Sequence, residues 1–405
     1  MTSDVVIVGA GAAGLATAVF AKRRHPSLSV LLLDGATKIG AKILVSGGGR
    51  CNVTNSVVTE NDFYGGSRNV VRRLLREFDA GRAADFFREI GVPLHEEPGG
   101  KLFPDSNSAR TVLDALLAEA ERLGVELVTG RRVTEIKQGF EVVTAEETYK
   151  ARRVVLATGG QSLPKTGSDG FGYKLASSLG HSIVPPTPGL VPLILDGGFH
   201  APLSGISHDV EVSCRVDGGK PERLAGAMLW THFGASGPAV MNVSRHWHRA
   251  RLEGRAVKLS LNFLPGETFE SAERKLLESA RTRPTAALAT VAGELLPARV
   301  GEAFLESLEV DGATRMAHLS KEDRRRIARA LVEWPLAVAG SRGYNYAEVT
   351  AGGVPLAEID PRTMASRKCP GLHLVGEILD VDGRIGGFNF QWSWTTGWVA
   401  AGGLA

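Results

Sequence analysis

The stretch VVIVGAGAAGLATAVFAKRRHPSLSVLLLD, residues 5–34, decides the fold. Residues 5–8 are a short apolar run, GAGAAG turns the chain, and residues 15–24 continue with apolar positions at helical spacing. A second apolar run, 28–33, ends in Asp34. This is one βαβ unit. Gly9 allows the tight turn, Gly11 lets a pyrophosphate approach the helix N-terminus, and Gly14 lets helix and strand pack closely. Ala12 and Ala13 complete the same phosphate-facing turn. Asp34, twenty residues beyond Gly14, is placed for ribose hydroxyls and would repel a 2′-phosphate. The fingerprint alone leaves NAD and FAD open.

Working outward, the chain has 405 residues, enough for two or three domains. With 43% hydrophobic and 22% charged residues it has an ordinary globular composition, and a formal charge of +3 calls for no acidic partner. Basic clusters at 245–255 and 321–329 read as solvated helix faces, so nucleic acid is not an expected partner. Cys51, Cys214 and Cys369 are widely spaced without a C-x-x-C, which excludes a zinc framework and a disulfide scaffold. No apolar run reaches the roughly 20 residues that span a bilayer, and the N-terminal cations follow the apolar stretch instead of preceding it. The expectation is a cytoplasmic protein acting on a small molecule.

Residues 108–123 have helical spacing with Gly124 as a stop, and 125–157 alternate as strands. VPPTPGLVP, 184–192, is expected to break regular structure and to mark a domain boundary. Residues 193–262 look β-rich, 267–333 helical and charged, and glycine-rich apolar text returns from Tyr346. The expected division is a nucleotide-type domain at 1–190, a β-rich insertion at 191–265, a helical insertion at 266–335, and a return at 336–405.

Two further motifs select FAD. RRVVLATGGQSLP, 152–164, is a strand running into Ala157, Thr158, Gly159 and Gly160, a second close-approach turn. GLHLVGEILD, 371–380, is another apolar strand ending in Gly376 and Glu377, followed by a loop and a helix whose N-terminus carries Gly386 and Gly387. An extended FAD needs such a return: Glu377 would hold the ribityl chain, and the helix dipole would stabilise negative charge at the N1/O2 edge of reduced flavin. Asp380, Phe388 and Asn389 from this segment, and Val133 from the strand-rich one, join the expected cofactor set.

AKILVSGGGRCNVTN, 41–55, poses a separate question, because three successive glycines cost backbone entropy and offer no core side chain. Here the sequence resembles a known family. GAKILVSGGGRCNVTN, KLFPDSNSARTVLDAL, ATGGQSLPKTGSDGFGYKLASSLGH, MLWTHFGASGPAV, AEVTAGGVPLAEIDPRTMASR and GLHLVGEILDVDGRIGGFNFQWSWTTGWVAAGG span the whole chain. They are similar to bacterial FAD-dependent oxidoreductases of the aminoacetone-oxidase-like and 3-dehydro-bile-acid-reductase-like kind, within the glutathione-reductase/fumarate-reductase-like flavoproteins. The resemblance implies an α/β fold, a Rossmann-like FAD-binding domain with an inserted β-barrel and helical subdomain. By likeness to fumarate-reductase flavoproteins, Ser46, Gly47, Gly48 and Gly49 would line the isoalloxazine, with Lys42 toward the pyrophosphate and Arg50, Cys51 and Asn52 continuing the set. Glycine is then required because a Cβ would collide with the ring or with stacked substrate. Ile43, Leu44 and Val45 are expected to pack ahead of the turn.

His232, in THFGASGP, is the candidate acid or base near the flavin. Cys51 reads as a small buried residue, HWH at 246–248 has poor metal-ligand spacing, and GSDGFGYK lacks the ending of a phosphate loop. The expected activity is hydride transfer between flavin N5 and a small organic substrate, either enone C=C reduction or amine oxidation. NAD(P)H would be a transient electron donor, since FAD occupies the one dinucleotide fingerprint. The alternative is a flavin-holding protein serving RNA modification through its basic insertion. A pyridine-nucleotide disulfide reductase lacks support, with neither its cysteine pair nor a second GxGxxG.

Overall fold

The computed structural model describes residues 2–405. They form two compact units, residues 2–189 with 344–405, and residues 190–343.

At the centre of the first unit lies a parallel sheet. Thr2–Val8 pairs in parallel with Thr148–Leu156 on one side and Val30–Leu33 on the other. Leu372–Leu374 adds beyond the former and Glu126–Val128 beyond the latter, both parallel. Val5, Val6, Ile7 and all of Val30–Leu33 are buried, as expected of strands covered on both faces. The first helix, Ala12–Arg24, packs against the last, Phe388–Gly402. At that crossing a Cβ at Gly397 would lie 3.0 Å from Thr17 Oγ1, so the glycine sets the approach of the two helices.

The last helix carries apolar residues on every side with its polar ones spread among them, which is how a helix inside a core reads. Its few polar groups are satisfied. Gln391 accepts from Thr54 Oγ1 (2.6 Å) and donates to Phe78 O (2.9 Å), and Thr396 Oγ1 accepts from Gly376 N (3.0 Å). Trp394 Nε1 donates to Val53 O (2.8 Å) and Trp392 Nε1 to Gly376 O (3.2 Å). These bonds tie the segment after the second strand to the C-terminal return.

Two local expectations are corrected. Val184–Gly189 is a strand despite its prolines, pairing antiparallel with Val349–Gly353 and shifting register between Val184 and Thr187. A two-stranded sheet has outer edges that need no N–H donors, and proline is tolerated there. Ile43 is buried, but Val45 is 54% exposed: the helix Ala41–Val45 is too short to turn both inward.

In the second unit seven strands make one antiparallel sheet, in the order Trp334–Leu336, Val257–Asn262, Ser207–Val216, Glu222–Thr231, Gly234–Ser236, Leu193–Leu195, Val338–Ser341. Helix Pro238–Leu252 packs on this sheet, and Trp230, Phe304, Val212 and Leu261 are in its separate core. His246 and His248 lie on that helix, and burial lowers both pKa values to about 4. Arg245 adds repulsion at His246, while His248 Nε2 bonds Ser341 Oγ at 2.8 Å. Their folded pKa lies below the unfolded value near 6.5, so their contribution is complete above pH 6.5 and is lost as pH falls toward 4. Each can withdraw at most about 3 kcal/mol, because every tenfold change in proton affinity is worth roughly 1.4 kcal/mol. Thermal midpoints should therefore drop between pH 6.5 and 4.5, and a His246→Gln/His248→Gln double variant should flatten that drop. An equal drop in the double variant would assign the acid sensitivity to other groups.

Candidate cofactor and active site

The dinucleotide turn forms where the first strand ends. Gly9 takes φ +105° and donates to Leu33 O at 2.8 Å, and a Cβ there would lie 2.5 Å from Ala157 O. A Cβ at Gly14 would overlap the Gly9 carbonyl oxygen, whereas at Gly11 it would meet nothing within 4 Å. Gly11 caps the helix without a side-chain bond, so the amides of Ala12, Ala13 and Gly14 are left for a ligand. Asp34 was expected on a ribose. It accepts from Ala10 N (2.7 Å) on one oxygen and Ala36 N (2.8 Å) on the other, leaving an acceptor position on each. Arg131 N donates to Asp34 O (2.8 Å), which brings the chain before Val133 beside this carboxylate; Val133 itself is buried opposite Thr144.

The second turn follows the strand Thr148–Leu156. Ala157 N donates to Val8 O at 2.9 Å, Gly159 takes φ +71°, and the Thr158 hydroxyl is buried with no partner among the described residues. A Cβ at Gly160 would lie 2.5 Å from Thr350 Oγ1 and 2.8 Å from Glu377 Oε1. Here an expectation changes. Lys42 and Glu377, assigned to pyrophosphate and ribityl chain, contact each other at 2.6 Å. Lys42 also donates to Ser162 Oγ (2.6 Å), and Glu377 Oε1 accepts from Thr350 N (2.8 Å) and Ser162 Oγ (3.0 Å). The first turn of Ala41–Val45 and the end of the strand Leu372–Leu374 converge on one point, which nothing local in the sequence marks.

The glycine turn is left-handed throughout: Gly47 φ +55°, Gly48 φ +70°, Gly49 φ +85°. A Cβ at Gly47 would come within 2.9 Å of the Phe103 ring, but at Gly48 it would meet nothing within 4 Å. Ser46 Oγ bonds Ile43 O (2.7 Å) and its carbonyl accepts from Cys51 N (3.0 Å). Cys51 is fully buried, and burial pushes its thiol up to about 12, so it is inert. Arg50 is ion-paired to Glu97 at 2.5 Å and lies 4.0 Å over the Phe103 ring, the same ring that borders Gly47. The Asn52 amide donates to Thr54 O (2.8 Å) and accepts from Gly387 N (3.2 Å), which joins the glycine turn to the last helix.

At that helix N-terminus Gly386 takes φ +125° against the Phe388 ring and Gly387 takes φ +93° against the Thr54 backbone, and Gly387 offers the helix no side-chain cap of its own. Phe388 and Asn389 turn inward, contrary to expectation. Phe388 is buried against Phe63, and Asn389 exchanges two bonds with Gly383, at 2.8 and 3.0 Å. The Asp380 carbonyl accepts from Gly66 N at 2.9 Å. His232 is exposed at a turn between two strands of the second unit, while every residue assigned to the cofactor lies in the first. Sequence reasoning missed Ser162, Thr350 and Tyr173. The phenol of Tyr173 is pushed well above its usual range by burial, with Glu377 adding to the shift.

These features fit FAD: two open helix N-termini, Cβ-free approaches at Gly11 and Gly48, and a buried hydroxyl at Thr158 without a partner among the described residues. No group of metal-holding side chains occurs among the described residues. The family description "HI0933-like protein Rossmann domain" matches residues 3–403. The chain belongs to the HI0933-like family. Among curated proteins it is 34% identical to a 3-dehydro-bile acid delta(4,6)-reductase of Clostridium scindens over 97% of both chains. It is 33% identical to a ribosomal RNA dihydrouridine synthase of Escherichia coli, over 98% of this chain and 97% of that one. A solved quinol-fumarate reductase shares the fold, with TM-score 0.53 at 17% identity over all of this chain and 71% of that one. This HI0933-like protein is an FAD-dependent oxidoreductase with a Rossmann-like fold. No helix among its described residues is long and apolar enough to cross a membrane.

Proposed function

We propose that this protein reduces a carbon–carbon double bond conjugated to a carbonyl. Bound FAD would supply the hydride equivalent. The observation that carries the reading is the exposed glycine turn, where a Cβ at Gly48 meets no protein atom, leaving a flat face for a ring and a substrate stacked on it. Support for the reaction class comes from the two relatives. A steroid dienone and a uracil ring share a C=C bond conjugated to C=O, and both names describe its reduction. Gly9, Gly11, Ala12, Ala13 and Gly14 would receive the pyrophosphate, Asp34 the ribose, Ala157 to Gly160 and Glu377 the central chain, and Ser46 to Gly49 the ring. The amides of the first turn of the helix Phe388–Gly402, beyond Gly387, would face the electron-rich edge of the ring. Lys42 would hold Glu377 in place. NAD(P)H, if used, would visit only transiently.

The purified protein is expected to be yellow, with about one FAD per chain released on denaturation. After anaerobic reduction, a 4,6-dien-3-one steroid or a uridine-containing RNA fragment should reoxidise the flavin faster than a primary amine does. Released FMN, or an amine as the sole productive partner, would contradict the proposal.

A second reading, an RNA substrate, is favoured by the E. coli relative. The basic clusters support it weakly, because much of their charge is already engaged: Arg324 with Glu273, Arg255 with Asp217, Arg325 and Arg329 over Phe269. Salt-sensitive RNA retention on a filter separates the two substrate classes.

A further inference from the structure

We infer that Ser162 and Thr350 are positioning residues of the cofactor site: they fix the Glu377 carboxylate so that it keeps a single acceptor position ready for one hydroxyl of the FAD ribityl chain. That Glu377 faces this chain belongs to the function proposed above, on which the roles of Ser162 and Thr350 rest.

Ser162 Oγ accepts from Lys42 Nζ (2.6 Å) and donates to Glu377 Oε1 (3.0 Å), while Lys42 Nζ also reaches Glu377 Oε2 directly (2.6 Å). The ammonium thus holds both carboxylate oxygens, one directly and the other through a hydroxyl. The Glu348 carbonyl, at 3.3 Å, is the more distant acceptor open to the Ser162 proton. Thr350 acts from the strand Val349–Gly353. Its amide donates to Glu377 Oε1 (2.8 Å), and its hydroxyl accepts from Gln161 N (2.7 Å) and Ser162 N (3.0 Å), which fixes the backbone carrying Ser162. Ser162 and Thr350 are fully buried, whereas the Glu377 side chain keeps 17% of its surface exposed, where a ligand can meet it. Gly160 completes the fit. Its φ lies outside the left-handed region, so the backbone does not demand glycine; the closeness of Thr350 and Glu377 to its Cα does.

A carboxylate offers about four lone-pair positions, two on each oxygen. Thr350 N and Ser162 Oγ fill both on Oε1, and Lys42 fills one on Oε2. One position on Oε2 stays open, on a group that cannot turn without breaking charge-assisted bonds. It can accept one hydrogen bond and give none, so its match is an alcohol hydroxyl and not a second anion. An ion pair drawn partly out of water is a poor staple for a fold, because desolvation offsets much of its attraction. As an acceptor set in place before the cofactor arrives, the same pair lowers the ordering cost of binding.

The test strips flavin from the full chain and titrates it with FAD and with FAD analogues lacking the 2′, 3′ or 4′ ribityl hydroxyl. Wild type should bind one analogue about tenfold or more weakly than FAD, the scale of one hydrogen bond to a charged group, and Glu377→Ala should lose that discrimination. In Ser162→Ala and Thr350→Val the same ratio should shrink to about threefold or less, because the carboxylate is free to turn. Thr350→Ser keeps a hydroxyl for both amides and should restore the ratio. A general loosening of the fold weakens FAD and analogue alike and leaves the ratio unmoved. Should Thr350→Val be insoluble, Gly160→Ala crowds Thr350 and Glu377 without altering either, and the ratio should shrink there too. If wild type binds FAD and all the analogues alike, or Glu377→Ala still discriminates, Glu377 does not hold the chain and the reading above fails. If wild type discriminates through Glu377 and Ser162→Ala and the Thr350 or Gly160 variant keep the full ratio, Glu377 stands and the positioning roles of Ser162 and Thr350 are overturned.

Discussion

Replacing Gly14 by alanine should remove the soluble flavoprotein altogether. The new Cβ would overlap the Gly9 carbonyl oxygen, lie 3.0 Å from the Gly9 carbonyl carbon, and sit 3.3 Å from Ala157 Cβ. Two of these neighbours are backbone, so no rotamer change relieves the contact. The helix Ala12–Arg24 would have to move off the strand Thr2–Val8, and both sit in the same buried core. Overpacking against side chains typically costs about 1–3 kcal/mol, and an immovable carbonyl puts this case at or above the top of that range. The total stability of a domain is only about 5–15 kcal/mol, so the expected outcome is insoluble protein or a large fall in thermal midpoint without bound FAD. Gly11→Ala is the matched control. Its Cβ meets nothing within 4 Å and its φ is −80°, so the fold should survive and only FAD affinity should fall. Gly14→Ala protein as stable as Gly11→Ala would disprove the close-packing account.

The contrast between these two glycines shows why the fold was legible in the sequence. Gly9, Gly11, Gly14 and Asp34 fall within one short segment whose hydrophobic periodicity changes from strand to helix and back. Local pattern suffices there, because each residue acts on neighbours a few positions away. The return strand was legible for the same reason, as Leu372, Leu374 and Val375 are fully buried in an apolar run. Side-chain direction was not. A helix whose polar residues are spread around it offers no single polar face to orient it, so Phe388 and Asn389 could not be assigned inward from sequence. Arg50 pairs with Glu97 and lies over Phe103, which sit on a hairpin about 50 residues away. Lys42 and Glu377 meet across 335 residues. Pairing at that range is set by topology, and a single sequence carries no local mark of it. Thr350 falls within a family-like string, but its importance comes from the second turn, whose Gln161 and Ser162 amides donate to its hydroxyl.

Gly48→Val should produce the opposite pattern from Gly14→Ala: a folded protein with a damaged flavin site. Gly48 is exposed, takes φ +70°, and would give an added Cβ no protein atom within 4 Å. The fold therefore opposes the change only through backbone strain, on the order of 1–2 kcal/mol for a left-handed residue and more for a branched one. Gly47 and Gly49 on either side remain free to take up part of it. With the isoalloxazine against this turn, two methyl groups would stand where the ring or the stacked substrate belongs. The expected result is soluble protein that is colourless, or that binds FAD with a shifted visible spectrum and has lost most of its turnover. Gly48→Ala should fall between, since it adds the strain and one carbon but no branch. Flavin content, spectrum and activity measured side by side decide the matter. Wild-type values for all three in Gly48→Val would mean that the turn is an ordinary surface loop. The open face for substrate would then have to lie elsewhere in the first unit.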